Sequence, residues 1–220
     1  MTSFSINRRL LSLALAAFVA LLGAAMACYP GGDWVDAQSS GYRFWDNFLC
    51  DLLFTEAING EANIAGSVLA ALAAMELMVF GWVPIWWRVR TCPKTARVCG
   101  ALSVVFGFVM CIQVLCDLPI PHGFLLLLYG GFGVVASTTV MLDLHRDPTT
   151  SAAVTVTGIL AVASAVGGAL LDVLIRWAGV YDKAWMPGVQ KIILIMSLVW
   201  LLALILFSRG LDLEPSRNRG

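Results

Sequence analysis

The chain has 220 residues, of which 60% are hydrophobic and 13% charged, and its mean hydropathy is +0.85. Soluble domains carry roughly a quarter charged residues, so this composition excludes an ordinary water-soluble fold and points to an integral membrane protein. A formal net charge of zero leaves no basic face to replace counterions on phosphate, so no nucleic-acid partner is expected.

At about 20 residues per span, the chain has room for six spans and their connections. An all-α bundle forming a single domain over 1–220 is the expectation. The first apolar run, Leu10 to Ala27, follows Arg8 and Arg9. It is longer than the ~7 to 15 residues of a signal-peptide core, so a retained helix is expected even though Ala25-Met26-Ala27 resembles a cleavage site. A polar segment from Tyr29 to Asn63 comes next. It mixes carboxylates, amides and aromatic rings, among them Trp45, Asp46, Asn47 and Asp51.

The second span is read from Ile64 to Pro84, with Trp86 and Trp87 as an interfacial belt. The third runs from Cys99 to Leu118, the fourth from Gly123 to Leu142 and the fifth from Ala152 to Leu171. A connection from Asp172 to Met186 leads to the sixth, Pro187 to Phe207, where the proline suits a first helical turn. Pro119 to His122 is short enough to make spans three and four antiparallel neighbours.

Lys and Arg gather at one membrane face, at Arg8, Arg9, Arg88, Lys94, Arg97 and Arg146 among others, while the other face receives Arg43, Arg176 and Lys183. Both termini are therefore expected in the cytoplasm. The outer face then carries an excess of acids, which attracts cations or cationic head groups; a loop lacking Lys and Arg only to satisfy orientation is the simpler account.

The small residues of the fourth and fifth spans, Gly130, Gly131, Gly133, Gly158, Ala161, Ala165 and Gly168, are assigned to close helix packing, with a substrate path as the other reading. Glu76 lies about 8 residues, or ~12 Å, inside the cytoplasmic end of its span. A carboxyl at that depth needs a partner, and Ser103, Ser137, Thr138 and Thr139 are depth-matched; a proton relay is the sharper alternative to a satisfied structural group. Lys191 sits one turn inside the sixth span beside Gln190 and is expected to pair with Asp51, Asp117 or Asp172. Cys28 and Cys50 could bridge on the outer side, a matter left open.

The candidate site is thus the outer mouth of the bundle. Trp45, Asp46, Asn47, Gln113, Asp172, Gln190 and Lys191 would bind a ligand there, and Asp51, Asp117 and His122 would serve any catalysis. Asp117 and His122 flank a short turn and could orient a general base or hold a divalent metal, whose identity and occupancy stay undetermined.

The segments Tyr29-Pro30-Gly31-Gly32, Gly41-Tyr42-Arg43-Phe44-Trp45-Asp46-Asn47-Phe48, Asn59-Gly60-Glu61-Ala62-Asn63 and Gly188-Val189-Gln190-Lys191-Ile192 resemble an uncharacterised bacterial six-span membrane family of unknown function. Where that family is expected to carry Ser-Asp-Leu-Gly, this chain has Cys50-Asp51-Leu52-Leu53. Phe44-Trp45-Asp46-Asn47 and Leu115-Cys116-Asp117-Leu118-Pro119-Ile120 are similar to segments of alkaline ceramidase and adiponectin-receptor type hydrolases. That likeness implies zinc and several histidines, and the sixth span has no paired His to match.

Three classes of function fit. The leading one is a binding or accessory protein whose acidic, aromatic outer pocket takes a lipid head group or other amphiphile. The others are an intramembrane lipid hydrolase, with or without a metal, and a proton-coupled small-molecule transporter using Glu76. A homo-oligomer would supply the symmetry that six spans without an internal repeat lack.

Overall fold

A backbone N–H or C=O in hydrocarbon has no water to bond, and a helix satisfies all of them within its own segment. The apolar runs accordingly form helices. The computed structural model describes residues 7–89, 92–116, 118–178 and 185–207, with residues 176–178 as backbone only. Over these it is an all-α bundle without strands, and six helices are long and apolar enough to cross a membrane.

Helix α1 is Arg8–Cys28, opened by the Asn7 side chain accepting the Leu10 N–H. The second span, Ile64–Trp86, has three parts: α2 (Ile64–Glu76), a π-helical stretch (Leu77–Trp82) and α3 (Val83–Trp86). Pro84 lacks the N–H that the Phe80 carbonyl would receive. The ladder widens just before it, so that the Val83 N–H bonds Met78 O. This break stacks Trp82 on Trp86, with centroids 5.9 Å apart.

The remaining spans are α4 (Pro93–Leu115), α5 (His122–Arg146), α6 (Ala152–Ala178) and α7 (Met186–Phe207). Consecutive spans pack side by side, and α7 returns against α1, closing the ring. Leu13, Leu72, Phe124, Leu160, Leu174 and Leu206 are among the large apolar side chains exposed around it, as lipid-facing surface requires.

Three helix ends run well past the sequence reading, for one reason, while α4 stops at Leu115 rather than Leu118. Hydropathy stops at the first charged residue, whereas a helix runs on into the interface where charges are solvated. So α4 starts at Pro93, before Lys94 and Arg97, and α5 continues through Asp143 to His145 and Arg146, which suit the negative end of its dipole. In the same way α6 continues past Leu171, and Asp172 is helical rather than part of a connection.

The buried apolar residues form two clusters. One joins α1, the second span and α4 to α7 around Trp86, Trp200 and Leu204; the other joins Ala25, Ala70, Ala71, Met110 and Leu125 to Tyr29, Leu52, Leu53 and Ala57 of the polar segment. That segment is therefore packed into the end of the bundle.

Candidate functional site

Residues 29–63 fold as a cap, turn by turn, from their polar side chains. Gly32 has φ +83°, and a Cβ there would lie 2.5 Å from the Asn59 backbone nitrogen, so only glycine fits this crossing. Asp33, 1% exposed, accepts the Val35 and Asp36 N–H groups at 2.8 and 2.7 Å, the Ser39 hydroxyl at 2.9 Å and the Arg43 guanidinium at 3.1 Å. Burial alone would raise its pKa. The four donors outweigh burial and hold it below the ordinary carboxylate value.

Asn47 is fully buried. Its amide donates to Gly32 O at 2.6 Å and its side-chain oxygen accepts the Arg43 N–H at 2.9 Å, tying two turns together. Asp51 opens the 3₁₀ turn Leu49–Leu53 by accepting the Phe48 N–H at 2.7 Å, with further donors in the Trp34 indole at 3.3 Å and the Asn47 amide at 3.5 Å. Burial nevertheless pushes its carboxyl up to about 6, against the pull of those donors and of the Lys191 charge. Burial likewise pushes the neighbouring Cys50 thiol up to about 11, leaving it a neutral thiol rather than a nucleophilic thiolate. Cys28 and Cys50 are both free, so the bridge left open above is not formed.

The bundle grips this cap from below. Ser67 of α2 donates to Leu53 O, and Asn63 donates to the Leu52 and Phe54 carbonyls at 3.2 and 2.9 Å. From α7, Gln190 accepts the Leu49 N–H at 2.6 Å and donates to Cys50 Sγ at 3.4 Å. Lys191 is 0% exposed and donates to the Asn47 carbonyl. Its ammonium also lies 5.4 Å from the Tyr42 ring and 5.6 Å from the Phe44 ring, within cation–π range. Among the described residues this corrects the expected pairing with Asp51 or Asp172: a backbone carbonyl and two rings hold the ammonium, and Asp51 acts on it only at longer range.

The structure thus brings Asn47, Asp51, Gln190 and Lys191 together, with their polar atoms engaged inside the cap. Trp45 is 55% exposed and packs edge-on to Phe44, with centroids 5.0 Å apart, while Asp46 sits 3.8 Å from the Arg43 guanidinium. These three residues form the rim. Gln113 and His122 pair beside the cap, Oε1 to Nδ1 at 3.4 Å, with the imidazole 5.5 Å from the Phe54 ring. Asp117 lies outside the described residues. Asp172 is half-buried on α6. Among the described residues, no group of three His, Cys, Asp or Glu side chains is placed to hold a metal ion.

Glu76 lies within the second span, with Oε2 buried and unpartnered. The partners expected for it are engaged elsewhere. Ser103 donates to Tyr129 O, Ser137 accepts the Trp86 indole N–H, and Thr138 and Thr139 bond back into α5.

The sequence reading missed a half-open hollow between the second span and α4 to α7. It measures about 160 Å³ and is lined by Trp82, Trp86, Ser103, Tyr129, Gly130, Gly133, Ser137, Ala161, Ala165, Ser197 and Trp200, among others. Gly158 and Gly168 do pack closely, against Trp200 and Ile193, as expected of small residues. Gly130 does not, since a Cβ there would meet nothing within 4 Å. A legible signal was the α5 face Tyr129, Gly130, Gly133 and Ser137, which repeats hydroxyls and glycines at helical spacing.

Comparison with known proteins finds no matching family model, no matching curated protein and no matching solved structure.

Proposed function

We propose that this chain is a multi-pass protein of the bacterial inner membrane that binds a membrane amphiphile, with the ligand held inside the bundle beneath the cap. The placement of Lys and Arg supports an orientation with both termini in the cytoplasm and the cap outside. The observation that carries the reading is the 160 Å³ cavity. A cavity of that size holds a benzene-sized group or a short stretch of chain, and its aromatic and small apolar walls are those of a ligand site. The acidic cap closes the outer end of the bundle. Its rim of exposed Phe44 and Trp45 beside half-exposed Asp46 suits contact with lipid head groups.

The test is organic extraction of detergent-purified protein followed by mass spectrometry. Wild type should retain one amphiphile class enriched over bulk lipid, and Gly130→Leu, which fills open space on a helix, should lose it. Identical extracts from the two proteins would defeat the reading.

A second reading, proton-coupled carriage of the same ligand, rests on the unpartnered Oε2 of Glu76 within its span. In liposomes, Glu76→Gln should then abolish ligand-driven proton movement and leave binding intact. Proton movement equal to wild type would remove this reading.

A further inference from the structure

The hydroxyls of the spans fall into two groups. Thr138, Thr139, Thr157 and Ser164 donate to carbonyls of their own helices at 2.6 to 2.9 Å, the usual way to satisfy a hydroxyl in hydrocarbon. Ser103 donates across to Tyr129 O. The other cavity hydroxyls behave otherwise. Ser137 Oγ accepts the Trp86 indole N–H at 3.3 Å, and among the described residues no acceptor receives the protons of Tyr129, Ser137 or Ser197. All three line the same space, about 10 to 22 Å from the cap end of their helices at 1.5 Å per residue.

The walls carry no ionisable group besides the Tyr129 phenol. Such a site offers nothing to balance a charged ligand, and an alkyl chain would leave three donors unmet where each unmet polar group is costly. What fits is a neutral apolar body with an acceptor oxygen.

Resting on the amphiphile-binding reading, we infer that the cavity takes an uncharged, membrane-soluble carbonyl compound, whose oxygen accepts from one or two of the hydroxyls of Tyr129, Ser137 and Ser197 while its body lies against Trp82, Trp86 and Trp200. A lipid-soluble quinone and a fatty-acyl ester share this chemistry. The stacked and tilted indoles, with Trp82 5.9 Å from Trp86 and 5.7 Å from Trp200, would wall either one.

The experiment uses the full chain in nanodiscs and three probes at equal mole fraction in the bilayer: a decyl-substituted benzoquinone, methyl laurate and dodecane. Binding is read from the rise in unfolding temperature with probe concentration. At least one carbonyl probe should reach its half-maximal effect at a concentration about ten-fold or more below that of dodecane, as expected for one or two hydrogen bonds gained. The Tyr129→Phe, Ser137→Ala, Ser197→Ala triple variant should bring that probe to the level of dodecane and leave dodecane unchanged. The carbonyl probe that prevails identifies the source. Equal response of wild type to all three probes overturns the inference alone, and no response to any overturns the amphiphile reading with it. Because the wild-type comparison decides by itself, an unfolded triple variant does not rescue the inference.

Discussion

In the cap, Asp33, Asn47 and Asp51 are all nearly inaccessible, and each binds backbone groups of its own loop. In the bundle interior, Tyr129, Ser137 and Ser197 face a common space with their protons unassigned. The denser polar region therefore reads as the scaffold and the sparser one is the proposed site. A satisfied group adds to stability and has nothing left to offer a ligand; an unsatisfied donor in a low-dielectric cavity gains most from one.

The largest effect should follow from breaking the scaffold at its centre. Asn47→Ala removes the acceptor of the Arg43 N–H, a part-buried bond, and the donor to Gly32 O, a buried one. A loss of about 2 to 4 kcal/mol is expected from two orphaned groups, measured as the denaturant midpoint of the purified protein. A change under about 0.5 kcal/mol would mean that the loop does not depend on this side chain.

Acid titration gives a smaller effect and separates the two cap carboxylates. Asp51 has its folded pKa raised to about 6 by burial, so folding favours its neutral form. Its contribution is greatest below about pH 4 and declines as pH rises to about 6, by up to about 3 kcal/mol. Asp33 is held below its ordinary value. Its contribution is present above about pH 4 and lost as pH falls through the lowered pKa. Stability should therefore fall between about pH 4 and 6, and Asp51→Asn should flatten that stretch only; a stability rising steadily over this range would contradict the assignment.

The smallest effect is expected at the rim. Asp46→Asn removes a half-exposed charge 3.8 Å from Arg43 and should change stability by under about 0.5 kcal/mol. Its readout is adsorption to vesicles of different head-group charge, which should shift if the rim meets lipid and stay constant if it does not.

The six spans were legible because hydrophobic length alone specifies them, and Lys191 and Gln190 were legible as residues that meet the polar loop. Their partners were not. A shared depth at the outer end of the bundle suggested Asp51, Asp117 or Asp172 for Lys191, whereas the loop's own turns place the Asn47 carbonyl there, and backbone groups leave no trace in composition. The cavity escaped for a related reason: Gly130 reads the same whether it admits a neighbouring helix or faces empty space, and only the packing of α5 among its neighbours distinguishes the two. The ends of α4, α5 and α6 were misplaced because helix and hydrocarbon boundaries are different surfaces.

The division between scaffold and site is tested most directly by the amount of amphiphile that co-purifies with Asp51→Asn and with Gly130→Leu, each normalised to folded protein. Retention near the wild-type level in the cap variant and loss in the cavity variant is the result expected here. Loss in Asp51→Asn with retention in Gly130→Leu would place the ligand in the cap and contradict the account.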